Sequence, residues 1–245
     1  MVIYEQIQAA VAMGKKLFAV LVDPDKCTGE ALHQFIELTQ QAKPDFILIG
    51  GSLTTESTDI AIETIKESTS IPVVLFPGSA SQFSPKADAM LFLSLISGRN
   101  PDFLIGQHVV SAPFIRKSGM ETISTGYMLV ESGSTTAVEY MSNTRAIPRQ
   151  KNSIAVATAI AGELLGNKLI YLEAGSGAQL PVPPQMITAV KKYISIPLIV
   201  GGGLRSTENI QDALQAGADI VVVGNVLEKD PQLMVDFAQL IQSFS

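Results

Sequence analysis

The sequence predicts a single-domain α/β protein, a (β/α)8 TIM barrel with a degenerate or missing third helix. Eight apolar, β-rich segments recur along the 245 residues, helical patterns separate most of them, and no compositional break divides the chain. Eight strands alternating with helices in about 250 residues is the size of a closed parallel barrel. A doubly wound open sheet is the alternative. Eight strands without a domain break favour closure, so we expect one domain over residues 1–245.

The predicted strands are mostly apolar without alternation, as expected of parallel strands covered on both faces. The first four are "LFAVLVD" (17–23), "FILIGG" (46–51), "VVLFPG" (73–78) and "AMLFLSLI" (89–96). The last four are "ETISTGYMLV" (121–130), "LIYLEA" (169–174), "PLIVGG" (197–202) and "DIVVVGN" (219–225). Their spacing leaves room for a crossover helix at most of the connections.

Helical patterns follow strands one and two, precede strands six to eight, and close the chain. They are "GEALHQFIELTQQA", "TTESTDIAIETIKEST", "NSIAVATAIAGELLG", "PPQMITAVKKYI", "STENIQDALQAG" and "DPQLMVDFAQLIQSF". Several begin with Ser, Thr or Asp and end near Gly or Pro, as helix boundaries should. The segment "SASQFSPKAD" after strand three is too short and too rich in Ser and Pro for a good helix, which predicts the irregular third connection.

Composition excludes several classes of protein. Hydrophobic residues make up 47% and charged residues 16%, and the net charge of −6 provides no basic surface for nucleic acid. The single cysteine, Cys27, excludes an internal disulfide and a cysteine-based zinc cluster, and we interpret it as a buried or idle thiol. The opening "MVIYEQIQAAVAMGKK" carries Glu5 and no long apolar region, and the longest apolar runs are strand-sized. We therefore expect a cytoplasmic protein.

Two neighbouring strands end in glycine, in "LIVGGGLRS" (198–206) and "DIVVVGN" (219–225). Glycine lets backbone amides approach a ligand because it has no Cβ, and helix N-termini attract anions. In this fold the active site lies at the carboxyl ends of the strands, and phosphate often binds in the loops after strands seven and eight. These two endings predict a phosphate-binding cup.

Acidic and hydroxyl side chains follow other strands. Asp23 of "DPDK" ends strand one, Ser52 follows strand two, and Tyr171 and Glu173 lie two residues apart on one side of strand six. Mg²⁺ prefers oxygen ligands and often takes only one or two from the protein, which suits Asp23 beside Ser52. Glu173, across the barrel, suits a general base. The alternatives are a turn-forming Asp before proline and a structural acid.

The motifs "LVDPDK", "GGS", "YLEAGSGA", "VGGGLRS" and "VVVGN", in this order and spacing, resemble the geranylgeranylglyceryl phosphate synthase family, which includes the bacterial PcrB-type proteins. The resemblance extends from about residue 15 to the C-terminus. It implies transfer of a polyprenyl group, with geranylgeranyl expected, from its diphosphate to the sn-3 hydroxyl of sn-glycerol 1-phosphate. An ether forms, diphosphate is released, Mg²⁺ is required, and the third helix of the barrel is modified.

Residue by residue, the resemblance implies that Asp23 and Ser52 bind Mg²⁺ and that Glu173, with Tyr171, is catalytic and deprotonates the glycerol hydroxyl. Asp25 and Lys26 would support this site, and Arg205 either adds charge to the cup or is a solvated helix-start residue. The implied substrate-binding residues are Tyr171, Leu172, Glu173, Ala174, Gly175, Ser176, Gly177, Gly202, Gly203, Gly224 and Asn225.

The expected partners are sn-glycerol 1-phosphate and a polyprenyl diphosphate, with no nucleic acid and at most peripheral membrane contact through the lipid product. The stretches "LFLSLISG" and "STGYMLV" are candidates for the prenyl groove, and ordinary barrel core is their alternative interpretation. The segment "TAVEYMSNTRAIPRQ" is too apolar to be fully exposed, so we expect a homodimer or homohexamer. The length of the prenyl chain is left open.

Three other functions are weighed against this one. A sugar-phosphate isomerase shares the barrel and the phosphate cup and commonly uses acids on strands one and five, where Glu131 stands near the end of strand five. A heptaprenyl-specific member of the same family is the second. A catalytically silent phosphate-binding scaffold is the third, although it leaves Asp23 and Glu173 without a use.

Overall fold

The computed structural model, which describes residues 2–244, is a closed barrel of eight parallel strands. Met1 and Ser245, the ends of the predicted domain, lie outside the described residues. Each strand pairs with the next, and β8 pairs with β1. The strands are β1 Leu17–Val22, β2 Phe46–Ile49, β3 Val73–Leu75, β4 Ala89–Leu95, β5 Glu121–Leu129, β6 Leu169–Glu173, β7 Leu198–Gly201 and β8 Ile220–Val223. The predicted fold class is confirmed.

The helices are α1 Ile3–Ala12, α2 Gly29–Ala42, α3 Thr58–Ser68, α4 Gln107–Ser118, α5 Ala137–Ser142, α6 Asn152–Leu164, α7 Pro184–Lys191, α8 Thr207–Gln215, α9 Asn225–Lys229 and α10 Leu233–Gln242. Only a short 3-10 turn, Ala80–Gln82, stands between β3 and β4, as the Ser- and Pro-rich segment predicted. Helix α4 was not predicted. It contains Pro113 and follows a π-helical turn, Asp102–Gly106, so it lacks the usual start signals.

Strand residues alternate between the barrel interior and the layer beneath the helices. Leu91, Tyr127 and Ile199 belong to the interior cluster, whereas Ile47 and Val200 pack in the outer cluster with the helices. Most strand positions are buried because both faces of each strand are covered. Each fully buried Ile or Leu side chain contributes about 1.5–3 kcal/mol through loss of apolar contact with water.

Helix α1 closes the amino-terminal mouth of the barrel. Its side chains Ile3 and Ile7 pack into the interior cluster. The backbone N–H groups of Ile3 and Tyr4 donate to the two carboxylate oxygens of Glu121, the first residue of β5, at 2.7 and 2.8 Å. An acid at a helix N-terminus satisfies free N–H groups and complements the helix dipole. The carboxyl-terminal mouth is therefore the one left for a ligand.

Three aspartates stabilise the strand register at the amino-terminal rim. The buried Asp219 accepts a hydrogen bond from the N–H of Leu198, which begins β7, at 2.8 Å, and pairs with Lys191 at 2.5 Å. Two more acids repeat this arrangement with the N–H of the strand before them and a nearby lysine: Asp45 with Phe18 and Lys15, and Asp88 with Val73 and Lys66. These contacts tie adjacent strands together on the side opposite the ligand mouth.

None of the helices between residues 2 and 244 has the length and apolar character that crossing a membrane would require.

Candidate active site

A cavity of about 360 Å³ opens at the carboxyl ends of the strands. This volume lies within the range of small-molecule sites. It brings together most of the predicted site residues, namely Asp23, Ser52, Tyr171, Glu173, Gly175, Ser176, Gly177, Gly202, Gly203, Gly224 and Asn225. Leu172 and Ala174 do not line it. Leu172 faces the outer cluster because side chains alternate along β6, and Ala174 packs in that cluster as well.

Glu173, the last residue of β6, is a buried acid in this cavity, with 5% of its surface exposed. Its Oε1 accepts a hydrogen bond from the Gly175 N–H at 2.7 Å. Burial raises the pKa of Glu173 to about 7, although the Gly175 N–H and the Tyr171 hydroxyl both favour the ionised form. A carboxylate with a pKa near neutrality can accept a proton and later release it.

Tyr171 lies below Glu173 inside the barrel. The side chain is fully buried, and its hydroxyl has no hydrogen bond of normal geometry within residues 2–244. Burial, followed by the charge of Glu173, raises the pKa of Tyr171 well above its ordinary value, so the hydroxyl stays protonated. A neutral hydroxyl beside the carboxylate can donate to it or to a ligand, but it does not act as a base.

The glycines after β7 are required by contacts within the protein as well as by the space for a ligand. Gly202 and Gly203 have φ values of +77° and +69°, a region that favours glycine. A Cβ at Gly202 would overlap Oε1 of Glu173. At Gly203 a Cβ would lie 2.9 Å from the backbone between Leu180 and Pro181. The loop after β7 therefore lies directly against the acid and the loop after β6.

The second half of the cup follows β8. Gly224 stands at the start of α9, whose first residue is Asn225, and both line the cavity. The Oγ of Ser176 lies 3.3 Å from Oδ1 of Asn225 and joins the loops after β6 and β8. Arg205 also lines the cavity, and its guanidinium donates to the carbonyl oxygen of Ala178. Arg205 thus fixes the loop after β6 and keeps a positive charge near the cup.

Asp23 follows β1, the neighbour of β8 in the barrel, and also lines the cavity. Its Oδ1 accepts a hydrogen bond from the Asp25 N–H at 3.1 Å, as in a turn-forming aspartate, and its Oδ2 pairs with Lys26 at 2.9 Å. Lys26 also contacts Glu228 at 3.4 Å. Burial lowers the pKa of Lys26, but the hydrogen bond and charge of Asp23, aided by Glu228, raise it overall. Asp23 therefore both stabilises the turn after β1 and lines the cavity.

Asp23 and Ser52 form one corner of the cavity, which we call the aspartate corner. Their side-chain oxygens fit a metal ion that also binds to the substrate. Within the described chain, no three His, Cys, Asp or Glu side chains cluster into a complete metal site. Asp23 and Ser52 instead offer one carboxylate and one hydroxyl at the ends of adjacent strands, facing the same cavity. Mg²⁺ commonly binds through one or two carboxylates plus phosphate oxygens and water, so these residues fit it when a diphosphate supplies further oxygens.

Asp25 organises the loop that carries Ser52. Its carboxylate accepts from the N–H groups of Thr55 and Glu56 at 2.9 and 2.8 Å, and from the Thr55 hydroxyl at 3.0 Å. The Glu56 and Thr55 N–H groups lower the pKa of Asp25. Asp25 therefore connects the loops after β1 and β2 and does not face the cavity.

The apolar side of the cavity includes both stretches that the sequence indicated. Four residues of β4 and one of β5 line it: Met90, Phe92, Leu93, Leu95 and Tyr127. Further lining comes from Phe103, from His108 and Ser111 of α4, and from Ala137, Val138 and Met141 of α5. For α5 the apolar residues of "TAVEYMSN" were the available signal, because four of its six residues line this cavity: Ala137, Val138, Met141 and Ser142. We call this side the apolar arm.

One buried polar residue carried no signal in the sequence, and one predicted acid lies outside the site. Gln82, in the 3-10 turn after β3, is buried and donates to the Gly51 carbonyl at 2.7 Å while accepting from the Gly78 N–H at 3.0 Å. It holds the loops after β2 and β3 together. Glu131, the acid invoked for the isomerase alternative, is exposed beside Arg149 and does not line the cavity. That alternative therefore lacks its second acid.

Comparison with known proteins places this chain among related enzymes. The PcrB family matches residues 10–241. A geranylgeranylglyceryl phosphate synthase of Spirosoma linguale is 50% identical over 233 residues, covering 95% of this chain and 94% of that protein. The one from Chitinophaga pinensis is 49% identical, covering 98% and 96%. The crystal structure of (S)-3-O-geranylgeranylglyceryl phosphate synthase from Thermoplasma acidophilum in complex with substrate sn-glycerol-1-phosphate matches with a TM-score of 0.93 and 31% identity, covering 99% of both chains.

Proposed function

Because the chain belongs to the PcrB family, as its five motifs predicted, we propose that it transfers a polyprenyl group from its diphosphate to sn-glycerol 1-phosphate. The bond formed is an ether at the sn-3 hydroxyl, and diphosphate is released. The observation that carries this proposal is the position of Glu173. It is a buried acid with a pKa of about 7, and its cavity also contains a glycine cup, an aspartate corner and an apolar arm.

The glycerol phosphate occupies the side of the cavity near β6 to β8. Its phosphate is held by the backbone around Gly202, Gly203, Gly224 and Asn225, where amides bind an anion without a counter-charge from a metal. Arg205 adds a positive charge at the edge. With the phosphate at the cup, the far hydroxyl of the glycerol reaches Glu173, because Oε1 of that acid already touches the loop of Gly202.

The diphosphate occupies the corner at Asp23 and Ser52. Mg²⁺ held there by Asp23, Ser52 and phosphate oxygens would neutralise the leaving group. Lys26 pairs with Asp23 in this structure, and it is close enough to contact the diphosphate once Asp23 binds the metal. Two residues outside the cavity support this corner. Asp25 joins the loop after β1 to the loop after β2, and Gln82 joins the loop after β2 to the loop after β3.

Glu173 performs the proton transfer. The ionised carboxylate accepts the hydroxyl proton as the glycerol oxygen bonds to the allylic carbon, and it releases that proton to solvent after the product leaves. The apolar arm excludes water from the allylic carbon, which prevents hydrolysis of the prenyl diphosphate. The heptaprenyl-specific reaction is the second candidate, since the apolar arm extends from β4 to α4 and α5.

A transfer assay tests this function. Labelled sn-glycerol 1-phosphate, Mg²⁺ and C15, C20 or C35 prenyl diphosphate are incubated with the protein, and lipid-soluble phosphate is measured. We expect product with one of the longer chains, and loss of the product when sn-glycerol 3-phosphate replaces its enantiomer. Binding of glycerol phosphate without lipid-soluble product at any chain length would contradict this function and favour the isomerase or the scaffold instead.

Assembly and location complete the proposal. Tyr140, Leu164 and Leu165 are 80%, 82% and 79% exposed on α5 and at the end of α6, which is unusual for large apolar side chains. This exposure supports a homodimer or homohexamer, which light scattering after size-exclusion chromatography would measure. A cytoplasmic location stays a prediction from the sequence.

A further inference from the structure

Three aromatic rings form a cluster under the acid. Phe76 and Tyr171 stack with centroids 5.4 Å apart at 22°, and Tyr127 lies 5.3 Å from Tyr171 and 6.0 Å from Phe76. Tyr171 and Tyr127 are 0% and 6% exposed, whereas Phe76 is only half-buried. All three line the cavity, so Phe76 is the ring of this cluster with surface available to a ligand.

Phe76 lies between the parts of the site that a transfer reaction must bring together. It follows β3 directly, next to the aspartate corner at the ends of β1 and β2 and next to the apolar arm that begins at β4. Through its stacking on Tyr171 it also approaches Glu173. An allylic carbon whose diphosphate is at the corner, whose chain is in the arm and whose nucleophile is at Glu173 therefore lies against Phe76.

The backbone around Phe76 is held in place. Its N–H donates to the Ile49 carbonyl at 2.8 Å. Gly50 has φ +155° and a Cβ there would overlap the Phe76 carbonyl oxygen, so the two loops can approach closely only because residue 50 is glycine. The Gln82 side chain then joins the loops on both sides, at Gly51 and Gly78. The backbone is fixed by these contacts and the ring by its stacking on Tyr171, and a group held in place in advance is the condition for electrostatic stabilisation of a developing charge.

We propose that the face of Phe76 stabilises the positive charge that develops on the allylic carbon during transfer, which makes Phe76 a catalytic residue. This rests on the proposed function. In the step, the bond between the prenyl C1 and the diphosphate oxygen breaks, and its electron pair leaves with the diphosphate. The glycerol oxygen supplies a new pair to C1, and its proton passes to Glu173. An aromatic face attracts a cation through its quadrupole, and this contact strengthens as the charge grows.

The test replaces Phe76 by phenylalanines that carry one, two or three ring fluorines. These keep the shape of the side chain while making its face less negative. The measured quantities are the single-turnover rate constant and the dissociation constants of both substrates. We expect the rate constant to fall stepwise by about 3- to 30-fold across the series, the range of cation–π contacts in dry sites. Both dissociation constants should stay within twofold.

The matched control places the same fluorinated residues at Phe35, which packs in the outer cluster on α2 away from the cavity. Transfer should be unchanged there. A uniform rate constant across the Phe76 series, or a loss confined to substrate binding, would overturn the role of Phe76 while leaving the transfer function intact. Absence of transfer by the unmodified chain would instead overturn the proposed function, and this inference with it.

Discussion

Replacing Glu173 by glutamine separates the chemistry of this acid from its effect on stability. The pKa of Glu173 lies at about 7, above the ordinary 4.5, because the folded protein disfavours the buried charge. The stabilisation from keeping this group neutral is complete below about pH 4.5 and is lost as the pH rises through about 7. Above that pH, the ionised acid costs the folded state about 3 kcal/mol.

Glutamine is neutral at every pH and keeps the shape and the acceptor for the Gly175 N–H, while the Tyr171 hydroxyl beside it can accept from the new amide. We therefore expect Glu173→Gln to increase the free energy of unfolding by about 1–3 kcal/mol at about pH 8, and by little at about pH 4.

The same variant should transfer the prenyl group about 10²- to 10⁴-fold more slowly, the usual contribution of a general base. In the unmodified protein, kcat/KM should rise with pH through about 7 as Glu173 ionises, and the variant should lose this limb. Urea unfolding and transfer rates are measured on one preparation, with Glu131→Gln as the matched control because that acid lies outside the cavity. A variant that is more stable yet transfers at the normal rate would refute the role of Glu173 as base.

Three other changes test the rest of the account. Asp23→Asn removes the negative charge at the aspartate corner. Transfer at limiting Mg²⁺ should fall by about a hundredfold or more, while glycerol phosphate still binds. Near-normal turnover would exclude Asp23 from the site. Gly224→Ala brings a Cβ to 3.3 Å from Leu21 beside the cup, and should raise the KM for glycerol phosphate more than that for prenyl diphosphate. Equal effects would mean that the two substrates are placed in reverse. Asp219→Ala leaves the Leu198 N–H and Lys191 without their partner, and should lower the free energy of unfolding by about 2–4 kcal/mol with activity per folded molecule unchanged.

The sequence was sufficient for the barrel because its evidence is local and repeated. Each strand is an apolar run, and six of the helices show apolar periodicity, several of them with polar starts, so their types could be read without knowing their partners. Helix α4 was not predicted, because a π-helical turn precedes it in place of the usual start signals and Pro113 interrupts its pattern. The irregular third connection was predicted from its Ser and Pro content, but the buried role of Gln82 within it depends on two loops that only the fold brings together.

The residues of the candidate site that stand at the carboxyl ends of strands could be predicted from the sequence. The features that depend on packing between distant segments could not. Asp23, Ser52, Glu173 and the glycines were found because the barrel places every strand end at one mouth. The raised pKa of Glu173 and the stacking of Phe76 on Tyr171 come from side chains distant in sequence, so no motif records them. Leu172 and Ala174 were predicted to bind substrate because they belong to the motif "YLEAGSGA", but neither side chain reaches the cavity.

The most direct test of the central claim is the structure of this protein with sn-glycerol 1-phosphate bound. We predict that the phosphate lies against the backbone of the Gly202–Gly203 and Gly224–Asn225 loops. The hydroxyl at the other end of the glycerol should lie about 2.6–3.2 Å from a carboxylate oxygen of Glu173, within reach of proton transfer. A phosphate bound at Asp23, or a hydroxyl that points away from Glu173, would contradict the account.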